Sequence, residues 1–127
     1  MAELGSITGI KIRSLFDTPS LKVDYICHAC KNYITWFFSK NDTGYIIFRD
    51  GKEIFNGTIE EFQNAGNMFL PTDHDTNLFT KTRSNLMYID TDIKKHKSYT
   101  YEIQAYKKID ERIYLSEKST SYIVKTE

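Results

Sequence analysis

The sequence predicts an all-β chain of antiparallel strands, and three observations carry that expectation. From Tyr99 to Ala105 the apolar side chains fall at every second position, Tyr99, Tyr101, Ile103 and Ala105, which is the period of a half-buried strand. Asp50-Gly51 separates two strand-like runs, and this dipeptide suits a type I′ hairpin turn, where both central residues need positive φ. Long helical periodicity is absent, while aromatic residues make up 14% of the chain, a residue class that favours strands.

Met1 to Ser20 is an N-terminal arm or extra edge strand. Ile10-Lys-Ile-Arg alternates as a strand would, and Pro19 breaks the arm from the rest of the chain. It is either an edge strand on its own domain or a strand offered to a neighbouring subunit. Leu21–Ile26 is the first strand of the domain proper, residues 21–127. Tyr33–Phe38 is the second, with Ile34, Trp36 and Phe38 facing inward. Gly44 to Ile54 holds a hairpin with Tyr45 and Ile47 inward, so Ile46 and Phe48 point away from the core. Thr58-Ile-Glu-Glu61 fits a capping box, in which the Thr hydroxyl accepts from the third amide and Glu61 reaches back. A short helix to about Ala65 comes next, with Gly66 as its terminator. The crossing Ile59–Asn85 is long and carries Phe62, Met68, Phe69, Leu78 and Phe79. Such a segment either covers the open edge of a sheet or meets another protein. The run through Tyr88 ends in a basic turn, the strand from Tyr99 comes after it, and Leu115–Val124 closes the domain with Tyr122 and Val124 on one face.

These landmarks, taken in order, resemble a fibronectin type III domain of the bacterial or phage type. Leu21–Ile26 is similar to strand A and Tyr33–Phe38 to strand B with its core tryptophan, Trp36. The hairpin is similar to strands C and C′, Tyr88–Ala105 to strands E and F, and the closing segment to strand G. The resemblance implies a two-sheet antiparallel sandwich. It also implies a tyrosine corner at Tyr99, whose ring closes the core while its hydroxyl satisfies a backbone group.

Composition narrows the partners. The 127 residues carry 17 Lys plus Arg and 17 Asp plus Glu, so bulk charge gives no reason to expect nucleic acid or an anionic membrane. No apolar stretch approaches the ~20 residues that span a bilayer, and the start lacks the basic and apolar regions of a secretory leader.

Candidate chemistry is thin. Cys27-His-Ala-Cys30 has the spacing of half a zinc site or a redox pair, but a structural zinc needs four ligands; ordinary free thiols near a turn are the better reading. Asp73-His74-Asp75 reads as a polar turn after Pro71, and Asp90 and Asp92 as turn-capping residues without the ligand spacing of a calcium loop. The expectation is a non-enzyme with no cofactor and no metal, working through other proteins.

Three settings are open: a structural or decoration protein of a phage virion, assembled in the host cytoplasm; an accessory or adhesion module of a bacterial surface or secreted protein; and a binder of small ligands or glycans through exposed aromatics. The first is expected, with the second, possibly glycan-associated, as the alternative. The candidate interface comprises Ile7, Ile10, Ile12 and Phe16 of the arm, Ile46 and Phe48 of the hairpin, and Phe62, Phe69 and Phe79 of the crossing.

Overall fold

A computed structural model describes residues 9–11, 18–26, 30–66 and 85–127. In chain order the elements are β1 (Ile10–Lys11), β2 (Leu21–Ile26), β3 (Lys31–Phe37), β4 (Gly44–Arg49), β5 (Lys52–Thr58), α1 (Ile59–Gly66), β6 (Asn85–Asp90), β7 (Ser98–Ile109), β8 (Arg112–Lys118) and β9 (Tyr122–Lys125). They form two sheets. The smaller has the order β2-β3-β6; the larger runs β1-β8-β7-β4-β5, with β9 pairing β7 beyond the end of β8. Among the described residues, every pairing is antiparallel except that of β1 with β8. The chain is thus an all-β, two-sheet antiparallel sandwich.

Alternation explains which faces meet. On β3, Asn32, Ile34 and Trp36 are buried while the residues between them are not. Across the interface, Tyr45 and Ile47 of β4 and Tyr99, Tyr101, Ile103 and Ala105 of β7 join Ile34 and Trp36 in one core. Trp36 is only 2% exposed. A continuous run of rings crosses this core: Tyr45 to Trp36 (5.7 Å), Trp36 to Phe62 (5.0 Å), Phe62 to Phe55 (5.4 Å) and Phe55 to Tyr88 (4.9 Å). The first three contacts are edge-to-face, a geometry that aligns positive ring edges with negative ring faces and adds about 0.5–1.5 kcal/mol per pair beyond burial.

Local signals behave as their chemistry requires. Asp50 and Gly51 have φ of 52° and 84°, as a type I′ turn demands. The capping box closes reciprocally: the Glu61 N–H donates to Thr58 Oγ1 at 3.1 Å, and the Thr58 N–H to Glu61 Oε1 at 2.7 Å. Gly44 allows a close approach no side chain permits, since a Cβ there would lie 2.2 Å from the Gly57 carbonyl oxygen.

Four details depart from the sequence reading. The second strand of the domain ends at Phe37, leaving Phe38 half-buried just beyond it. The closing strand is broken in two, because serines take over the ladder. Ser119 Oγ accepts from the Ile103 N–H (2.9 Å) and its own N–H donates to the Ile103 carbonyl (2.8 Å), while Ser116 Oγ accepts from the Ala105 N–H (2.9 Å). Phe62 is no surface residue: α1 turns it into the core between Trp36 and Phe55, 1% exposed. Ile46 lies outside the inter-sheet core, as alternation requires, yet it too is 1% exposed. Gln104, its partner across the ladder, is also buried on that outer face.

Candidate functional site

The densest polar constellation lies inside one end of the sandwich and joins four strands. Asp90, the last residue of β6, is buried, and Arg49, the last of β4, places one guanidinium nitrogen 2.9 Å from each of its carboxylate oxygens. The Tyr101 hydroxyl of β7 donates to Asp90 at 2.6 Å and accepts from Asn32 Nδ2 of β3 at 2.8 Å. The backbone N–H of Asp92 is the third donor to this carboxylate and makes its fourth contact, at 3.2 Å. Two strands of each sheet are therefore tied through one carboxylate.

Charge reflects this geometry. Burial raises the Tyr101 phenol far above its ordinary value, and donation to Asp90 raises it further. For Arg49, burial alone would lower the value, but the hydrogen bond to Asp90 and the carboxylate's charge outweigh it and raise it. A carboxylate has about four acceptor positions, and four donor contacts occupy those of Asp90, so the arrangement is a clamp between sheets and leaves no lone pair for a substrate or cation. Asn32 Oδ1 is buried without a partner.

Next to this clamp lies the corner between β6 and β7, residues 91–97, and the chain pins it from several sides. The Lys94 N–H donates to the Tyr99 hydroxyl at 2.7 Å, with the Tyr99 ring buried. This is the geometry expected of a tyrosine corner. Thr126, fully buried, accepts from the Lys97 N–H (3.0 Å) and donates to the carbonyls of Lys94 and Lys97; its N–H donates to the Lys97 carbonyl (2.8 Å). The side chain of Ile93 anchors the corner in the core, and Cys30 Sγ lies 3.5 Å from the Ile93 carbonyl.

The outer faces differ in character. That of the small sheet carries Tyr33 opposite Ile89 and Thr35 opposite Met87, all half-buried, and ends at Phe37, 64% exposed. That of the large sheet carries Phe48, whose ring lies 3.9 Å under the Lys118 ammonium, and Ile123, 69% exposed.

Of the residues expected at an interface, Ile10, Ile46, Phe48 and Phe62 are among the described residues, in β1, β4 and α1. Phe48 is half-buried on the outer face, on the side alternation gives it. Ile46 and Phe62 are buried and offer no contact surface. Ile10 lies in β1, whose backbone pairs in parallel with Tyr114 and Leu115 of the chain's own β8, so this part of the arm docks on its own sandwich. Ile7, Ile12, Phe16, Phe69 and Phe79 lie outside the described residues, as do Cys27 and Asp73–Asp75. Cys30 is a free thiol in the turn before β3. Asp90 does cap a turn through the Asp92 N–H, but its bonds to Arg49 and Tyr101 were beyond local reasoning. Phe37, Tyr33, Met87 and Ile89 were also missed, although their alternation opposite Ile34, Trp36, Leu86 and Tyr88 was available. Among the described residues, no helix is long and apolar enough to cross a membrane.

No family model matches the chain, and no curated protein matches it. The structure is similar to part of a family 28 exopolygalacturonase of Yersinia enterocolitica, with a TM-score of 0.53 and 19% sequence identity, over 87% of this chain and 20% of that one. The chain thus corresponds to about one fifth of that enzyme's length, and the likeness shows the fold alone.

Proposed function

We propose that this chain is a non-catalytic β-sandwich module of the fibronectin type III kind that works by docking other proteins. What supports the family is the pairing of a β2-β3-β6 sheet with a β5-β4-β7-β8 sheet, the buried tryptophan on β3 and the Tyr99 corner. The single observation that carries the function is the outer face of the small sheet, where Tyr33, Met87 and Ile89 adjoin the exposed Phe37 ring. Apolar residues scattered singly on a surface are ordinary, but a contiguous set marks an interface. The Asp90 carboxylate of the clamp, by contrast, is occupied by Arg49, Tyr101 and the Asp92 N–H.

Cross-linking mass spectrometry on extracts of the source organism tests this reading. Cross-links should concentrate on residues flanking that face, Lys22 and Lys31, and Met87→Glu should abolish them while the sandwich still folds. Cross-links confined to other surfaces, or unchanged by Met87→Glu, overturn it. The narrower setting we propose is a phage virion, tested by electron microscopy of the particle for a repeated position of this chain.

A second reading has its own observation. The fold matches a part, one fifth, of a larger polygalacturonase, which favours an accessory module attached to a carbohydrate-acting enzyme. Under that reading the partner is a catalytic domain of the same or a neighbouring chain.

A further inference from the structure

The corner between β6 and β7 presents Lys94, Lys95, His96 and Lys97 in succession, all exposed. The chain as a whole is neutral, so this is local segregation of charge. Other lysines adjoin it. Lys125 pairs with Ser98, next to Lys97, and Lys31 stands between Cys30, whose thiol reaches Ile93, and Asn32, which pairs with Asp90. Among the described residues, neither Lys31, Lys94, Lys95 nor Lys125 is in an ion pair. The Lys97 ammonium lies 5.7 Å from the centre of the Tyr99 ring. Of the nearby carboxylates, Asp90 is held by Arg49 and Asp50 accepts from the Thr100 N–H, while Asp92, 93% exposed, reaches Arg49 at 3.4 Å, and Glu127, next to Thr126, is exposed.

The successive ammonium groups of such a loop repel one another. Its backbone is nevertheless fixed by the bonds to Tyr99 and Thr126, and His96 is held at a φ of 60°. A rigid backbone carrying unneutralised cations is preorganised for an anionic ligand, because the ordering cost falls on folding and not on binding.

The corner's missing features narrow the kind of anion. Tyr99 and Tyr101 are buried, so neither ring is available to stack a nucleobase. Ile93 is buried as well and cannot anchor a lipid surface, which leaves Ile123, beyond Lys125, as the exposed apolar side chain nearest the corner among the described residues. Lysine is depleted in the cores of protein interfaces, whereas flexible ammonium groups on a fixed loop suit charges repeated along a hydrated chain. We propose that this corner binds a linear polyanionic polysaccharide, with Lys94, Lys95 and Lys97 as principal contacts and Lys31 and Lys125 extending the track. The three principal lysines lie on the β6–β7 corner, off the apolar face of the small sheet, which the track meets only at the flanking residue Lys31.

The test is fluorescence anisotropy of a labelled alginate oligosaccharide titrated with the full 127-residue chain. Neutralising about three charges predicts roughly 10- to 20-fold weaker binding between about 50 and 200 mM salt, by counterion release. Lys94→Ser/Lys95→Ser/Lys97→Ser should weaken binding at least about tenfold, whereas the equal charge change Lys107→Ser/Lys108→Ser/Arg112→Ser, at the β7–β8 hairpin, should change it less than about threefold. Lys94→Glu/Lys95→Glu, which leaves Lys97 over Tyr99, supplies a second variant should the triple one lose its fold. Absence of binding at low salt, equal loss in the control, or insensitivity to salt overturns the proposal. Tighter binding of a single-stranded DNA of equal charge, or of vesicles containing phosphatidylserine, also overturns it and reassigns the corner to nucleic acid or membrane.

Discussion

Replacing Tyr101 by Phe tests whether the clamp holds the sheets together. The substitution keeps the ring, which is fully buried, and removes one oxygen with two hydrogen bonds, 2.6 Å to Asp90 and 2.8 Å from Asn32. The bond to the carboxylate is charge-assisted and worth about 1.5–3 kcal/mol. Asn32 Nδ2 would be stranded beside an Oδ1 that already has no partner, at a cost of about 1–3 kcal/mol for an unsatisfied buried donor. Arg49 stays paired, and its side chain is 20% exposed, so the charge on Asp90 keeps most of its compensation. The two losses overlap, and the expected destabilisation is about 2–4 kcal/mol, a large part of the ~5–15 kcal/mol that holds such a domain together. Urea unfolding followed by fluorescence measures it cleanly, because Trp36 is the only tryptophan and sits in the core. The midpoint should fall with the slope unchanged. A loss below about 0.5 kcal/mol, the range of an ordinary surface substitution, would refute the clamp.

Phe62→Ala removes the ring that joins Trp36 to Phe55 and should cost about 3–5 kcal/mol by urea unfolding; a near-neutral result would mean that α1 does not close the core. Gly44→Ala forces a methyl against the Gly57 carbonyl, and overpacking of about 1–3 kcal/mol is expected, with an unchanged midpoint as the contrary result. Alkaline pH should unfold the domain early. Tyr45 and Tyr101 are raised well above their ordinary value of 10.0, by burial first and then by donation to Asp42 and Asp90. Their stabilisation is therefore complete below pH 10 and is lost as pH rises above it, at about 1.4 kcal/mol per pH unit for each group. Urea midpoints that stay flat from about pH 9 to 11.5 would contradict the burial of these phenols.

What was legible in the sequence is what local physics decides. The Asp50-Gly51 turn, the Thr58–Glu61 box and the bounds of Leu21–Ile26 depend on backbone conformation and short-range bonds, and all three are found where the residues place them. Alternation assigned the core of β3, β4 and β7 because period two has no competing solution there. It could not say what covers an outer face, and so Ile46, on the expected side, is nevertheless buried. Phe62 shows the converse. Ile59 and Phe62 are three apart on one face of a short helix, but whether that face meets solvent or core depends on where the crossing lies. The clamp was hidden for another reason. Asn32 and Tyr101 are 69 positions apart, and Arg49 and Asp90 are 41 apart, so no local pattern relates them.

The clamp and the pinned corner share an end of the sandwich, and this bears on how the module works. Asp50 Oδ1 accepts from the Thr100 N–H and the Asp50 N–H donates to the Thr100 carbonyl, so the β4–β5 turn is bound to β7. Asp90 ties β6 to β4 and β7, and Thr126 ties the segment after β9 to the β6–β7 corner. Each bond joins segments distant in sequence, which restrains the end against local opening. Among the described residues, the side chains of Lys94, Lys95 and Lys97 donate no hydrogen bond to this scaffold; they ride on it. Removing the scaffold and removing the lysines are therefore separable perturbations. Tyr101→Phe should lower stability and leave polyanion binding intact at temperatures where the domain is folded, whereas the lysine substitutions should do the reverse. If Tyr101→Phe lost ligand while still folded, the clamp would itself be part of the binding surface, and its carboxylate would have to exchange a partner on binding.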